Sequence, residues 1–579
     1  KLVTQLKALE DLRKQFFTPA LASTEKDKLK EEYLQKRNEV VLAIEADSEP
    51  VLKQIAKKIK HWNPFDDSNP SSFFSPTWMF GVDGGFDVLI GNPPYIGQKN
   101  NNEKFREVKN SPLGIRFHQR RMDYFYFFFH KGLDFLNDKG TLCLITTNYY
   151  FTATYADKLR NDIKRRSSIL KIINFNELKL FESALGQHNS VILLRKPFNK
   201  EVIAKTTAVS KANNLDVDIL REVLKETYPH AIYSKKDNVQ IYDSQNGNIQ
   251  IDLTGTSNSD VLDEILNDCE PLSTHFDLVE GIHTGADTLS NSHKTKYNVQ
   301  LKKGIGIFVL TDKEIESLNL NKEETELIKP WFKNSDIHKW VIENDTDKNL
   351  IYYTTKGNHR NVTNIKKHLS KFKSILINRK VRSGTGLISE NDYDDFVNDK
   401  KYISYVMNAS AFKRGDYHFI SYPREASVFE GEKIVCPQRS KQNTFAYSDG
   451  SFYGSADIYF IKEKTHTLKL KFLLGLLNSN LFYYWLYNKG KRKGEMLELY
   501  IRPLSELPIK KANEHIQQIV IERVEKILAA KSKKINTTSL EKEIDVLVYH
   551  LYELTYDEVK IIDKEFWLSE EEYNNYKMQ

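Results

Sequence analysis

The sequence predicts an α/β fold in which strands and helices alternate around one sheet, followed by a β-rich region and closing helices. Two observations carry this reading. Apolar runs of strand length lie at 86–90, 141–145 and 169–175, and each stops on polar or turn-forming residues. Helical periodicity at 124–136 and 155–166 fills the intervals between them. A fourth apolar run, 190–194, follows the third without a clear helix between, so those two strands are expected to pair antiparallel.

Taken in order, residues 1–61 are helical, with few glycines and apolar residues at helical spacing such as Leu2, Leu6 and Leu9. Packing, not chemistry, is the reading for that surface helical pair. A Pro-, Ser- and Asn-rich loop then leads into Phe86-Asp87-Val88-Leu89-Ile90-Gly91-Asn92-Pro93-Pro94-Tyr95. The apolar run reads as a buried strand, and Pro93 and Pro94 cannot continue a ladder, so it ends there. Ligands of open α/β sheets bind at such strand ends, which makes Asn92, Pro93, Pro94 and Tyr95 the candidate site. Residues 96–121 read as a long polar loop of the kind that is often functional. Asp123 is expected to cap the aromatic helix 124–136, with a turn at 137–140. Residues 200–265 are polar and mixed. From about 270 to 510 short β-like runs recur, for example 307–310, 350–353, 433–436 and 458–461. Residues 468–486 read as one helix with an Asn-Ser-Asn step, and 512–533 and 540–554 as amphipathic packing helices.

Composition limits the classes of function. With 579 residues, two to four domains are expected. The longest aromatic run, 124–129, is far too short for a bilayer span, and no signal peptide is evident, so a cytoplasmic location with no membrane partner is expected. Three scattered cysteines, Cys143, Cys269 and Cys436, make neither a disulfide framework nor a zinc site, and no metal site is expected. A net charge of +7 permits nucleic-acid binding without requiring it.

The tetrapeptide offers specific chemistry. The Asn92 amide oxygen and the Pro93 carbonyl are two neighbouring acceptors, and Tyr95 adds a flat ring. Such a set suits a planar amine like adenine N6, whose lone pair is delocalised and which must leave the duplex stack to react. Gly-Asn-Pro-Pro-Tyr at 91–95 resembles motif IV of the adenine-N6 DNA methyltransferases. The resemblance continues through Asp123-Tyr124, Gly140 to Tyr150, Leu180-Phe181-Glu182-Ser183-Ala184 and the run 190–194. The second half is similar to the target-recognition domain of TaqI-like and type IIG restriction–modification enzymes. The matching pieces there are Glu280-Gly281-Ile282-His283-Thr284-Gly285-Ala286-Asp287, 328–337, 433–437 and 474–479.

The resemblance covers roughly 62–555 and implies direct methyl transfer from S-adenosylmethionine to adenine N6 of a flipped base in double-stranded DNA, without a metal. Magnesium would enter only with an upstream nuclease. It implies a Rossmann-like methyltransferase sheet, of which this chain holds the second half. The implied domains are a helical segment 1–61, a catalytic region 62–200, a connecting segment 201–269, a target-recognition domain 270–511 and a C-terminal helical segment 512–579. Phe181 is implied to pack on the flipped base beside Tyr95. Asp87 and Gly91 are candidate cofactor contacts, although the glycine-rich cofactor turn expected upstream of motif IV is absent from 1–85. The strand 86–90 should then be a bare apolar edge, covered by another segment or polypeptide preceding this one. The start on Lys1 suits a fragment. Candidate DNA contacts are Thr284, Lys333, Lys380, Arg382, Arg439, Lys491 and Arg492, with Gly384-Thr385-Gly386 beside Arg382. Glu177-Leu178-Lys179 has a nuclease-like spacing that arises readily by chance. Two other readings stay open: a protein glutamine-N5 methyltransferase, which shares Asn-Pro-Pro-Tyr, and a DNA-binding specificity module inactive by itself.

Overall fold

The chain was analysed as a computed structural model that describes residues 2–46, 50–66, 71, 73–176, 178, 180–181, 188–209, 216–243, 247–252, 261, 265–343, 346–355, 361–379, 387–398, 416–493 and 496–577. Its contacts divide it into two compact units, Lys1–Ile251 and Asp252–Gln579.

The first unit opens with helices α1 (Leu2–Phe16), α2 (Ser23–Glu45) and α3 (Pro50–His61). Leu9, Tyr33, Val40, Ile44 and Ile59 close a small core of their own. A short helix α4 (Pro76–Phe80) precedes the first strand, β1 (Phe86–Gly91). The polar stretch after Tyr95, expected as a loop, holds two helices, α5 (Asn102–Asn110) and α6 (Pro112–Phe117). Ser111 causes the break between them: its hydroxyl accepts from Gly114 N at 3.2 Å, and Pro112 sits where a helix's first N–H would go unused. α7 (Tyr126–Phe135) follows, but its N-cap residue is Phe125 and no side chain caps it. Asp123 instead bridges to Gly97, which corrects the expectation that it caps this helix.

β2 runs from Leu136 to Thr147. The stretch 137–140, expected as a turn, is taken up as an irregularity in its pairing with β1, between Phe86↔Leu136 and Val88↔Thr141. α8 (Asp157–Arg166), β3 (Ser168–Asn174), β4 (Asn189–Arg195), β5 (Ile203–Val209), α9 (Val217–Lys225) and β6 (Ala231–Asp237) complete the unit. The sheet order is β1-β2-β4-β3-β5-β6. β4 lies between β2 and β3 and is antiparallel to both, whereas β1–β2 and β3–β5 are parallel. The sheet is therefore mixed, not a uniformly parallel doubly wound one. The antiparallel pairing of β3 with β4 agrees with the expectation drawn from the absence of a clear helix between those two runs. The sheet runs past position 200: β5 and β6 come from the stretch read as a connection.

The second unit has two four-stranded sheets. In one, Lys433–Pro437 pairs antiparallel with Ala446–Ser448 and Ile458–Glu463, and Phe276–Glu280 pairs on the far side of Ile458–Glu463. The other runs Tyr453–Gly454, Ile328–Phe332, Lys348–Ile351, Val309–Thr311. The stretch 468–486 forms two helices, Leu470–Leu477 and Asn480–Asn488, not one. Asn478 turns from the helix to pair with the Phe445 backbone, giving its Nδ2 to the carbonyl at 2.9 Å and accepting the N–H at 3.2 Å. Helices Glu514–Ser532 and Thr538–Leu551 pack on this core. A Cβ on Gly475 would lie 2.7 Å from Val520 Cγ1, so the helices approach too closely for any side chain there.

Candidate active site

β1 delivers Gly91 opposite Leu144 of β2, and the chain leaves the sheet as Asn92-Pro93-Pro94-Tyr95. Pro93 is buried, Asn92 and Pro94 are exposed, and Tyr95 is half-buried. The Asn92 carboxamide and the Pro93 carbonyl take no hydrogen bond from the described residues, whereas the Pro94 carbonyl accepts from Ile96 N at 3.2 Å. Two acceptors therefore stand free on a stiff backbone.

Two contacts hold the loop. The Tyr95 hydroxyl donates to the Ile145 carbonyl at 3.0 Å, and its ring meets Phe125 edge-on at 6.1 Å. Burial raises the Tyr95 pKa, with the neighbouring Asn189 carboxamide opposing. Beyond Tyr95, a short antiparallel clamp closes: Tyr124 N donates to the Ile96 carbonyl at 2.9 Å and Gln98 N to the Met122 carbonyl at 3.0 Å. Asp123 sits on this clamp, close enough that a Cβ on Gly97 would lie 3.3 Å from its carboxylate. Burial pushes the Asp123 carboxyl up to about 6.

At the strand ends beside the loop lies a set of polar side chains that sequence reading missed. Thr146 pairs in register with Ser190, and Thr147 with Asn189, where β2 ends and β4 begins. All four are buried, and Thr146 Oγ1, Thr147 Oγ1, Asn189 Nδ2 and Ser190 Oγ lack a well-formed hydrogen bond. Beside them Asn148 Nδ2 donates to Asn174 Oδ1 at 2.8 Å, and Asn174 Nδ2 to Asn176 Oδ1 at 2.8 Å. The Tyr150 hydroxyl lies against Thr146 and Ser190, and the Tyr95 hydroxyl against Asn189, which ties this polar set to the loop. The signal was present as polar triplets, Thr146-Thr147-Asn148 and His188-Asn189-Ser190, at the ends of apolar runs.

The other candidates divide. Asp87 stands at the opposite end of β1, about 16 Å from Asn92 at strand rise. Its carboxylate accepts from Asn137 Nδ2 at 2.7 Å, apart from the Asn92–Tyr95 loop. Gly91 adjoins it, and a Cβ there would meet Leu144 Cδ2 at 3.2 Å. Phe181 is half-buried. Thr284 is 2% exposed, with its hydroxyl bonded to Asp287 and its carbonyl accepting from Arg379 at 2.8 Å. Burial removes it as a DNA contact. Lys333 is exposed at the end of its strand. Arg439, Lys491 and Arg492 gather around the small sheet of Arg439–Ser440, Met496–Glu498 and Arg492–Lys493. Arg439 and Lys491 share the Glu498 carboxylate, both at 3.1 Å, and Arg492 lies 4.2 Å from the Tyr487 ring centre. Lys380, Arg382, 384–386, Glu177, Lys179 and 182–184 lie outside the described residues. Among the described residues no group of three or more His, Cys, Asp or Glu is placed to hold a metal ion, and no helix is long and apolar enough to cross a membrane.

Comparison with known proteins agrees with this geometry. Residues 4–181 match the Eco57I restriction-modification methylase family, and residues 329–509 match the TaqI-like C-terminal specificity domain. The type II methyltransferase M.HincII of Haemophilus influenzae is 24% identical over 445 residues, 74% of each chain. M.BstVI of Geobacillus stearothermophilus, also a type II methyltransferase, is 21% identical over 82% of this chain and 75% of its own. In fold, the chain is similar to the type IIL restriction–modification enzyme MmeI, solved in complex with DNA, with a TM-score of 0.51 and 13% identity. That likeness covers 84% of this chain and 57% of the enzyme. The class defined by fold and site is a type II methyltransferase of a restriction–modification system. Within it, residues 4–181 are an Eco57I-type methylase region and residues 329–509 a TaqI-like C-terminal specificity domain.

Proposed function

We propose that the chain methylates adenine N6 at a specific site in double-stranded DNA, as the modification and specificity portion of a type IIG-like enzyme. The observation that carries this is the pair of free acceptors, Asn92 Oδ1 and the Pro93 carbonyl, on a loop clamped at both ends. An adenine amino group entering there gives one proton to each. Both bonds favour pyramidal nitrogen and stabilise the positive charge that grows on it during transfer. Tyr95 and Phe181 stack on the extruded ring, offsetting part of the cost of unstacking it. Lys333, Arg439, Lys491 and Arg492, with Lys380 and Arg382, neutralise phosphates on the specificity side, in keeping with a DNA partner and a cytoplasmic location.

S-adenosylmethionine, when bound, supplies an electrophilic methyl group on a sulfonium. The described residues do not supply its full cradle. No strand precedes β1 among them, β1 is the sheet edge, and Asp87 faces Asn137 at the wrong end of the strand. We assign the missing side of the cofactor pocket to a segment that covers the free edge of β1, either an upstream part of the same polypeptide or a partner chain. This uncovered edge also favours the second reading, a specificity module that is inactive until covered. The test is methylation of plasmid DNA by the intact gene product, mapped by sequencing. Asn92→Ala should lower methylation by about 10²–10³-fold or more while leaving DNA binding intact. Equal methylation by parent and variant refutes the catalytic assignment. Methylated protein glutamine with unmodified DNA would establish the glutamine-N5 alternative.

A further inference from the structure

The stretch between the catalytic loop and the clamp is strongly basic. Residues 96–121 hold seven Lys or Arg against two Glu, a net +5, where the whole chain carries +7. Most of this charge is carried by α5, α6 and the turn after them. α5 buries Phe105 and half-buries Val108, and its Lys104, Arg106 and Lys109 are exposed. Arg116, Arg120 and Arg121 continue the exposed series. Among the described residues none of these cations forms an ion pair, and Glu103 and Glu107 on the same helix take none of them.

In two other basic stretches several cations are already engaged by the protein itself. Arg439 and Lys491 share the single Glu498 carboxylate, which offsets part of their charge. Between 361 and 379, Lys366 pairs with Asp416, Lys373 donates to the Glu390 carbonyl, and Arg379 is spent inward on the Thr284 and Tyr417 carbonyls. Only unpaired cations keep their full attraction for an external anion, because a neighbouring carboxylate must first be displaced from a paired one.

The pair is also held firmly. Gly114 packs so tightly that a Cβ there would lie 1.9 Å from the Val108 carbonyl oxygen, which locks α6 onto α5. Phe117 stacks on His130 at 3.5 Å, and His130 is bonded to Asp162 at 2.7 Å, so α6 is pinned to α7 and α8. Phe105 meets Tyr124 edge-on at 5.3 Å. Both chain ends of the pair enter the clamp at Gly97 and Asp123, and the Gln98 carboxamide oxygen accepts from Arg121 N at 2.8 Å. A rigid cationic element therefore starts at Asn102, seven residues after Tyr95.

We propose that α5 and α6 form a phosphate-binding element of the catalytic unit, which grips the duplex backbone beside the base that Asn92 and Tyr95 receive. This rests on the DNA-methylation reading and extends it, since it places sequence-independent affinity next to the chemistry. Such contacts position a duplex without reading its sequence. Each phosphate neutralised releases counterions, so each contact adds about 0.9 to the salt slope of binding.

The test is fluorescence anisotropy of the full chain with a labelled duplex of arbitrary sequence, titrated between about 50 and 200 mM salt. Lys104→Gln/Arg106→Gln/Lys109→Gln should weaken binding on the order of tenfold and reduce the slope of log affinity against log salt by about 2 to 3. Lys104→Arg/Lys109→Arg should bind as the parent does, which separates charge from helix packing. Lys53→Gln/Lys57→Gln/Lys60→Gln on α3 should also bind as the parent does. An unchanged slope in the first variant, with a parent that binds in a salt-dependent way, overturns the proposal and leaves the methyltransferase reading intact. A parent that binds no duplex overturns both. Unfolding of the first variant, read by circular dichroism, transfers the test to Arg106→Gln alone, for which a slope change of about 1 is expected and no change is again refuting.

Discussion

The Tyr95 hydroxyl and the Ile145 carbonyl, fifty residues apart in sequence, are joined by a hydrogen bond of 3.0 Å. Leu144, the residue before Ile145, pairs with Gly91, so the bond latches the Asn92–Tyr95 loop to the same strand that holds its stem. Under the proposed function Tyr95 has two separable roles, a latch through its hydroxyl and a stacking face through its ring. Tyr95→Phe removes only the latch, and a net hydrogen bond is worth about 0.5–1.5 kcal/mol, so turnover should fall roughly two- to tenfold. Tyr95→Ala also removes the ring, where a stacked base gains about 1–3 kcal/mol, and the combined loss should reach roughly a hundredfold or more. Single-turnover methylation measures both. Equal losses in the two variants would show that the ring does not stack on the base.

Asp123 gives a pH signature. Its carboxyl titrates at about 6 in the folded chain because burial disfavours the charged form, against 3.8 for an unperturbed Asp. Between about pH 4 and 6 the native state therefore holds a proton that the unfolded chain has already released. Stability contributed by this group is fully present below the unfolded pKa, declines as pH rises through that window, and is lost above it. Asp123→Asn keeps the shape and cannot ionise. Its melting temperature relative to the parent should be nearly unchanged at about pH 4 and most favourable above about pH 6. A difference that stays constant from pH 4 to 8 would remove Asp123 as the titrating group.

Much of the catalytic unit was legible because its strands are short apolar runs with polar stops, and β1 to β4 fall where those runs lie. Their order was not, since the position of β4 between β2 and β3 depends on pairing partners far apart in sequence. α5 and α6 were hidden because each buries so little: Phe105 is the one buried side chain of α5, so no apolar period marks it. β5 reads as polar because Lys205, Thr206 and Thr207 stand together at its centre, although Thr206 and Thr207 are buried. In the candidate site, Asn92 and Tyr95 stand out from local chemistry. Thr147 and Asn189 were not, because they meet only through strand register. Thr284 misled for a related reason: a polar residue in a glycine-bearing turn looks exposed until its partner, Asp287, is seen to hold it inside.

The edge of β1 sets the last expectation. β1 pairs with β2 on one side, and among the described residues no strand lies on its other side. Val88 is 56% exposed and Ile90 80%, which is far from the burial that a strand of Phe, Val, Leu and Ile is built for. An open apolar edge offers unpaired backbone groups and apolar side chains to any strand that meets it. If a covering segment completes the cofactor pocket there, the chain by itself should give no binding heat for S-adenosylmethionine in titration calorimetry at micromolar concentrations. Ile90→Lys tests the edge directly. Because the side chain already lies in solvent, the melting temperature should stay within a few degrees of the parent, in line with the small effects of exposed substitutions. The charge should nevertheless reduce self-association at high concentration, measured by sedimentation velocity, because a lysine on an edge strand blocks strand addition. Micromolar cofactor binding by the chain alone would mean that its own residues complete the pocket, and the edge would then need no cover for catalysis.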